Sequence, residues 1–313
     1  MINHPMQSLF VGAWPMGLSQ VIIMLIYVCS PIWGHWVTYL TWAMWIFDTA
    51  LSVLITIFMP FLHMKVKTQR ELANFTALEM FPFLAPIVAS GTGAIVSTAL
   101  PDPQLALATV IVSYILLGLS MPITFIVTGI YMQRLMLHKL PPRTVIISVF
   151  LPLGPPCMTG LAVIILGQTC LDVFPKTHVI HPQAGIAFYS LGVLLAFVLW
   201  GFASLWFALA VITVYYTKRF EFNLGWWACT FPVALFASVS IKIGEVVPSK
   251  FFRVVGVIVV VFVVLLWMIV SAMTVRGIIS GTLFDLPAST STNGGIEPEK
   301  DGLDLTEDIE KDD

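Results

Sequence analysis

The chain has 313 residues, 58% of them hydrophobic and only 10% charged, with a mean hydropathy of +0.94. That balance lies far from the range of soluble globular proteins and excludes a chain that folds in water around one buried core. The net charge of −2 hides a division: ten of the 17 acidic residues follow Phe284, and the part before it carries 13 basic and 7 acidic side chains.

A bilayer's hydrocarbon core is about 30 Å thick and a helix rises about 1.5 Å per residue, so a span needs roughly 20 mainly apolar residues. Eight stretches qualify, over 8–30, 36–62, 80–100, 105–133, 144–167, 185–217, 225–246 and 251–276. The expected fold is an all-α polytopic membrane protein, with a membrane domain over 1–284. The remaining 285–313 form an acidic tail without aromatic residues, expected to be disordered because it buries too little apolar surface to offset its ordering entropy. No basic segment and small-residue cleavage site frame the first apolar run, which reads as a span and not a removable signal.

The spans alternate in character. The first, third, fifth and seventh carry proline beside small or hydroxyl residues: Pro15 with Ser19, Pro86 with Ser90 and Thr92, Pro152, Pro155 and Pro156 with Thr159, and Pro232 with Ser238. The second, fourth, sixth and eighth read as long and mostly continuous, as in "VVGVIVVVFVVLLWMIV". Proline inside a helix deletes one backbone bond and clashes with the carbonyl a turn earlier. Broken backbone at membrane depth is tolerated where protein buries it or where it lines an aqueous cavity. Recurrence in every alternate span predicts four kinked inner helices facing a central path and four smooth outer ones. The competing account is that Gly, Ser and Thr serve close helix packing.

Ionisable groups at depth are few. Asp48 is the one acid near the middle of a span, and the favoured reading is a hydrogen bond to Ser or Thr on a neighbouring helix, the other being a proton site. Glu79 opens the third span, at the positive end of the helix dipole. Lys242 and Glu245 are three apart and can pair on one helix face, or Lys242 can draw anions to a pore mouth. No HExxH, paired-cysteine or GxxxxGK[ST] pattern occurs, so no metal, cofactor or ATP hydrolysis is expected, nor an enzyme. A path with small, hydroxyl and aromatic groups in a positively charged domain suits a weakly held anion. Nine basic residues flank one set of loops and four the other, which predicts both termini in the cytosol. The glycosylation pattern at Asn74 then falls on the cytosolic side and reads as a chance match.

The segments "HPMQSLFVGAWPMGL", "LPPRTVIISVFLPLGPPCMTGLAVIILGQ", "FNLGWWACTFPVALFASVSIKIG" and "PSKFFRVVG" resemble the tellurite-resistance/dicarboxylate transporter family in its fungal branch, which holds sulfite efflux pumps and malate permeases. The resemblance implies ten helices in five hairpins, with kinked inner helices around a pore in each subunit of a homotrimer. It implies export of sulfite or bisulfite across the plasma membrane, with malate or another C4 dicarboxylate as the alternative. Phe231 in "WWACTFPVAL" matches the family's pore-blocking phenylalanine, whereas the residues alone read as a packed aromatic. The chain opens at what resembles the family's third helix, so the first hairpin is expected to be missing, and a truncated protein that carries nothing is the further alternative. Partners expected are a small anion and the lipid bilayer, with no nucleic acid.

Overall fold

A computed structural model describes residues 10–65, 71–138, 143–179, 181, 183–217 and 222–281, and the acidic tail lies outside them. The described chain is helical, and eight helices are long and apolar enough to cross a membrane: α1 (Phe10–Trp33), α2 (His35–Lys65), α3 (Ala77–Ala99), α4 (Pro103–His138), α5 (Ile146–Thr177), α6 (Ala184–Thr217), α7 (Leu224–Val246) and α8 (Lys250–Ile279). Seven match their expected spans within a few residues. The exception is α5, which runs ten residues past the expected 167. Hydropathy marks where apolar side chains end, whereas the hydrogen-bond ladder continues through "QTCLDVFPKT" until His178, whose φ of 51° is left-handed and closes the helix.

Each odd helix pairs with the even one that follows it, giving four hairpins, and the odd helices pack in a row, α1 on α3, α3 on α5 and α5 on α7. The alternation expected from proline is present in a different form. Every odd helix begins with a 3-10 segment, at Phe10–Gly12, Ala77–Met80, Arg143–Leu153 and Leu224–Trp226, and every even helix begins directly as α. Burial separates the central pair most clearly: 94% of the apolar window of α3 and of α5 is buried, against 33% or less for each even helix. The outer members α1 and α7 of the odd row are more open.

The prolines are not uniformly kinks. Pro155 and Pro156 occupy the first turn of the α-helical part of α5, which starts at Gly154, and Pro15 sits in the first turn of Ala13–Met24. Each therefore sits at the junction where a 3-10 segment passes into α-helix and the hydrogen-bond spacing changes from three residues to four. Pro86, Pro152 and Pro232 lie inside helical segments, but so do Pro60 of α2 and Pro122 of α4. Proline alone therefore does not distinguish inner from outer helices.

At Pro86 the structure shows what becomes of the freed acceptor. The carbonyl four residues back belongs to Pro82, and it accepts a hydrogen bond from the Thr56 hydroxyl of α2 at 2.6 Å, inside the protein. Other ties between helices follow the same rule that polar groups in lipid are satisfied internally. Trp45 Nε1 donates to the Ala89 carbonyl at 2.8 Å, Trp200 Nε1 to Ser240 at 2.8 Å, and Trp227 Nε1 to Thr274 at 3.1 Å. Ser19 donates to the Asp48 carboxylate at 2.5 Å, the favoured reading of that acid.

The α5–α6 contact is the tightest. On α6 the buried positions Gly185, Gly192, Ala196, Leu199, Ala203, Trp206 and Ala210 recur every three, four or seven residues and form one face. A Cβ added at Gly192 would come within 2.4 Å of the Val163 carbonyl oxygen, and one at Gly185 within 2.7 Å of the Cys170 carbonyl oxygen. Side chains there would force the helices apart. The lipid side is equally plain: only Gly256, Val259, Val270 and Gly277 of the 30 residues in α8 are buried.

Gly192→Val is expected to lower stability by about 1–3 kcal/mol through overpacking, seen as a lower Tm of the detergent-purified protein. Thr56→Val is expected to lower it by about 1–3 kcal/mol, the penalty for an unsatisfied buried acceptor. In a Pro86→Ala background that penalty should shrink, because the substituted residue has a backbone N–H that can take the Pro82 carbonyl. A double-mutant cycle on thermal or denaturant unfolding measures the difference.

Candidate functional site

The four odd helices enclose a groove of about 370 Å³. α1 lines it with Gln20, Ile23 and Tyr27, α3 with Ile95, α5 with Met158, Leu161 and Ile165, and α7 with Leu235, Ser238, Ile241, Lys242 and Glu245. The spacing explains the selection. Gln20, Ile23 and Tyr27 stand at i, i+3 and i+7, as do Met158, Leu161 and Ile165, and as do Leu235, Ser238 and Lys242, with Glu245 one turn further on. Each set is a single helix face. Tyr27 on α1 and Lys242 and Glu245 on α7 all lie toward the C-terminal ends of their helices, so the polar groups gather at one end of the groove.

Along α7 the groove changes from apolar to charged. Leu235 comes first, then Ser238, whose hydroxyl donates to the Ala234 carbonyl at 2.9 Å, and then Lys242, which lies 3.5 Å from Glu245. Across from them α1 offers the Gln20 amide and, two turns on, the Tyr27 phenol. Gln20 Nε2 is shielded from solvent and has no hydrogen-bond acceptor among the described residues. Tyr27 stands on a π-helical turn, Leu25–Cys29, and π turns are frequent at functional positions because they re-aim one side chain within an otherwise regular helix. Among the described lining residues Lys242 is the one cation and Glu245 the one acid.

Of the side chains singled out by sequence, the structure brings Ser238 and Lys242 into the groove and sends the others elsewhere. Ser19 faces α2 and Asp48, one position away from Gln20. Ser90 donates to the Ser113 carbonyl of α4 at 2.8 Å, and Thr92 to the Val88 carbonyl of its own helix at 3.0 Å. Thr159 lines a different cavity of about 370 Å³ between α4, α5 and α6, with Tyr114, Met121, Pro122, Leu191 and Leu195, and its hydroxyl has no partner there. Phe231 is half-buried, four residues before Leu235 and hence on the same face of α7, beyond the apolar end of the groove. Pro232 is buried beside it.

Gln20 and Tyr27 were not among the residues drawn from the sequence. The signal was there: Gln20 is the single carboxamide in the otherwise apolar stretch "LSQVIIMLIY", at i+7 from an aromatic with a polar tip. A third, more polar cavity of about 490 Å³ lies at the C-terminal ends of α3 and α5, with Ser97, Thr98, Gln168, Thr169, Asp172 and Lys176 on its walls.

An amide, a hydroxyl, a phenol and an ammonium set along an apolar cleft among crossing-length helices can replace an anion's water in stages. The fold and the groove together define a membrane transport protein. Residues 1–275 match the family model described as a voltage-dependent anion channel, and the chain belongs to that family. Sulfite efflux pumps of Arthroderma benhamiae and Trichophyton rubrum are each 38% identical to it over 277 residues, covering 88% of this chain and 73% of their own length. A malic acid transport protein of Schizosaccharomyces pombe is 24% identical over 288 residues, covering 90% of this chain and 64% of its own. No solved structure matches the chain.

Proposed function

We propose that the protein exports sulfite or bisulfite across the plasma membrane, with the groove between the odd helices as its path. The observation that carries this reading is the convergence of all four odd helices, and of no even one, on a cleft whose donors are uncharged except for Lys242. A dicarboxylate is longer and has two separated charges, so a path selecting it calls for a second cation. The higher identity to sulfite efflux pumps than to the malic acid transport protein supports the same choice.

Phe231 is the proposed gate. It lies on the groove-facing stripe of α7, next to the interior Pro232, where a ring can close the apolar end of the path. Eight crossings put both ends of the membrane domain on one side, and the basic loops favour the cytosol for that side. The polar end of the groove then faces outward. A homotrimer is the proposed assembly, on the family resemblance.

In cells lacking their own sulfite exporter, expression is expected to restore growth on sulfite and to raise sulfite in the medium. Malate uptake without sulfite export would overturn the substrate assignment. Phe231→Ala is expected to raise anion current several-fold in patch-clamped membranes, and unchanged current at equal surface expression would remove Phe231 from the gate.

A further inference from the structure

The groove holds on its α1 wall a donor without an acceptor and on its α7 wall a cation that is only loosely paired. Gln20 lines the groove, and its Nε2, shielded from solvent, has no hydrogen-bond partner among the described residues. A buried amide N–H left unmade is unfavourable by about 1–3 kcal/mol, so a ligand oxygen that reached it would remove that penalty. Lys242 and Glu245 are 3.5 Å apart, long for a charge-assisted hydrogen bond, and their side chains are 25% and 57% exposed. Such a pair at a solvated position is weak and open to competition.

We propose that Gln20 and Lys242, with the Tyr27 phenol, form a coordinating station for a compact oxyanion, and that Glu245 competes with that anion for the Lys242 ammonium. The proposal rests on the transport reading above and specifies how the path handles its cargo. Three donors on two facing helices, an ammonium, an amide and a phenol, suit a small anion with several oxygens around one centre, each oxygen taking a separate hydrogen bond. Without Glu245 the ammonium would hold the anion, and conduction requires that a site bind well enough to admit its ion and weakly enough to release it. Glu245 lies one turn beyond Lys242 toward the end of α7. It reclaims Lys242 as the anion departs, which speeds release from the station. The π turn at Leu25–Cys29 fits this arrangement, since it sets the direction in which Tyr27 projects from α1.

The test uses the full chain in liposomes loaded with radiolabelled sulfite, with uptake measured in parallel. Gln20→Leu, close in size to the native side chain, is expected to raise KM for efflux about tenfold or more, the loss of one hydrogen bond to a charged ligand. Glu245→Gln, which is isosteric, is expected to lower KM and to slow maximal efflux several-fold. If wild type carries sulfite and both variants match it in KM and maximal rate, the station is overturned. If wild type carries malate or chloride and no sulfite, the functional reading fails, and the same two variants assayed with the carried anion decide the station. If no anion is carried, the sulfite-dependent rise in Tm of the detergent-purified protein decides it. A rise in wild type that Gln20→Leu abolishes upholds the station, and no rise in wild type overturns it. Folding of each variant is checked by its Tm without anion.

Discussion

The structure depends on one constraint: a backbone carbonyl or amide inside a membrane must find its partner within the protein. The Thr56 hydroxyl on the Pro82 carbonyl shows how the constraint is met where it is most severe. Pro86 deletes the helix's own bond, and the neighbouring outer helix supplies a replacement from a hydroxyl that was free to reach across. The break in α3 is thereby tied to α2, so the inner helix and its neighbour form one unit. In water the freed carbonyl would be solvated and the neighbour would be dispensable. In lipid it is not, and sequence breaks in the inner helices oblige the outer helices to carry polar groups on their inward faces. Asp48 and Thr109 serve the same inward-facing role with side-chain partners, accepting from Ser19 and from the Trp42 indole.

Beside these hydrogen bonds, packing sets the shape. Lipid tails are as apolar as Leu, so association between helices comes from close van der Waals contact and from hydrogen bonds, with little hydrophobic drive. Glycine and alanine on α6 let its backbone approach α5 closely, and indole N–H groups of Trp45, Trp200 and Trp227 tie other helix pairs together. α3 and α5, enclosed on all sides, become the rigid floor of the groove. α1 and α7, each with a freer flank, hold the polar groups that face each other across it. The most buried helices therefore supply apolar wall, through Ile95, Met158, Leu161 and Ile165, and the less buried ones supply chemistry.

The spans were legible because hydropathy over some twenty residues is a strong signal, and the alternation of helix types was legible because something does recur at every odd helix. Its physical form was not legible. The recurrence is a 3-10 opening followed by proline, and proline in the first turn of a helix looks the same in sequence as proline that breaks one, as Pro155 and Pro86 show. The site divides for a related reason. Choosing hydroxyl residues beside prolines picks residue types without fixing the rotation of the helix about its axis, so Ser19 and Gln20 are adjacent in sequence yet face a neighbouring helix and the groove. Thr159 and Met158 part in the same way, one toward the cavity by α4 and α6 and the other toward the groove. Ser238 and Lys242 were found because they share a face, four residues apart, and a stripe fixes rotation where a single residue cannot. Extending that stripe back to Leu235 and Phe231 and matching it with Gln20, Ile23 and Tyr27 on α1 was possible from spacing alone.

The distribution of charge in the groove also bears on why so few charges are present. A fixed cation deep in an apolar cleft would attract an anion strongly in a low-dielectric setting and hold it there, which defeats transport. Placing Lys242 toward the end of the helix, where its side chain retains a quarter of its exposure, raises the effective dielectric around it. Setting Glu245 one turn away neutralises its long-range field. What remains is a local attraction that acts once an anion has already shed part of its water against uncharged donors such as the Gln20 amide. Most of the path can then stay apolar, because an anion crossing it between such donors experiences a sequence of shallow steps in place of one deep well.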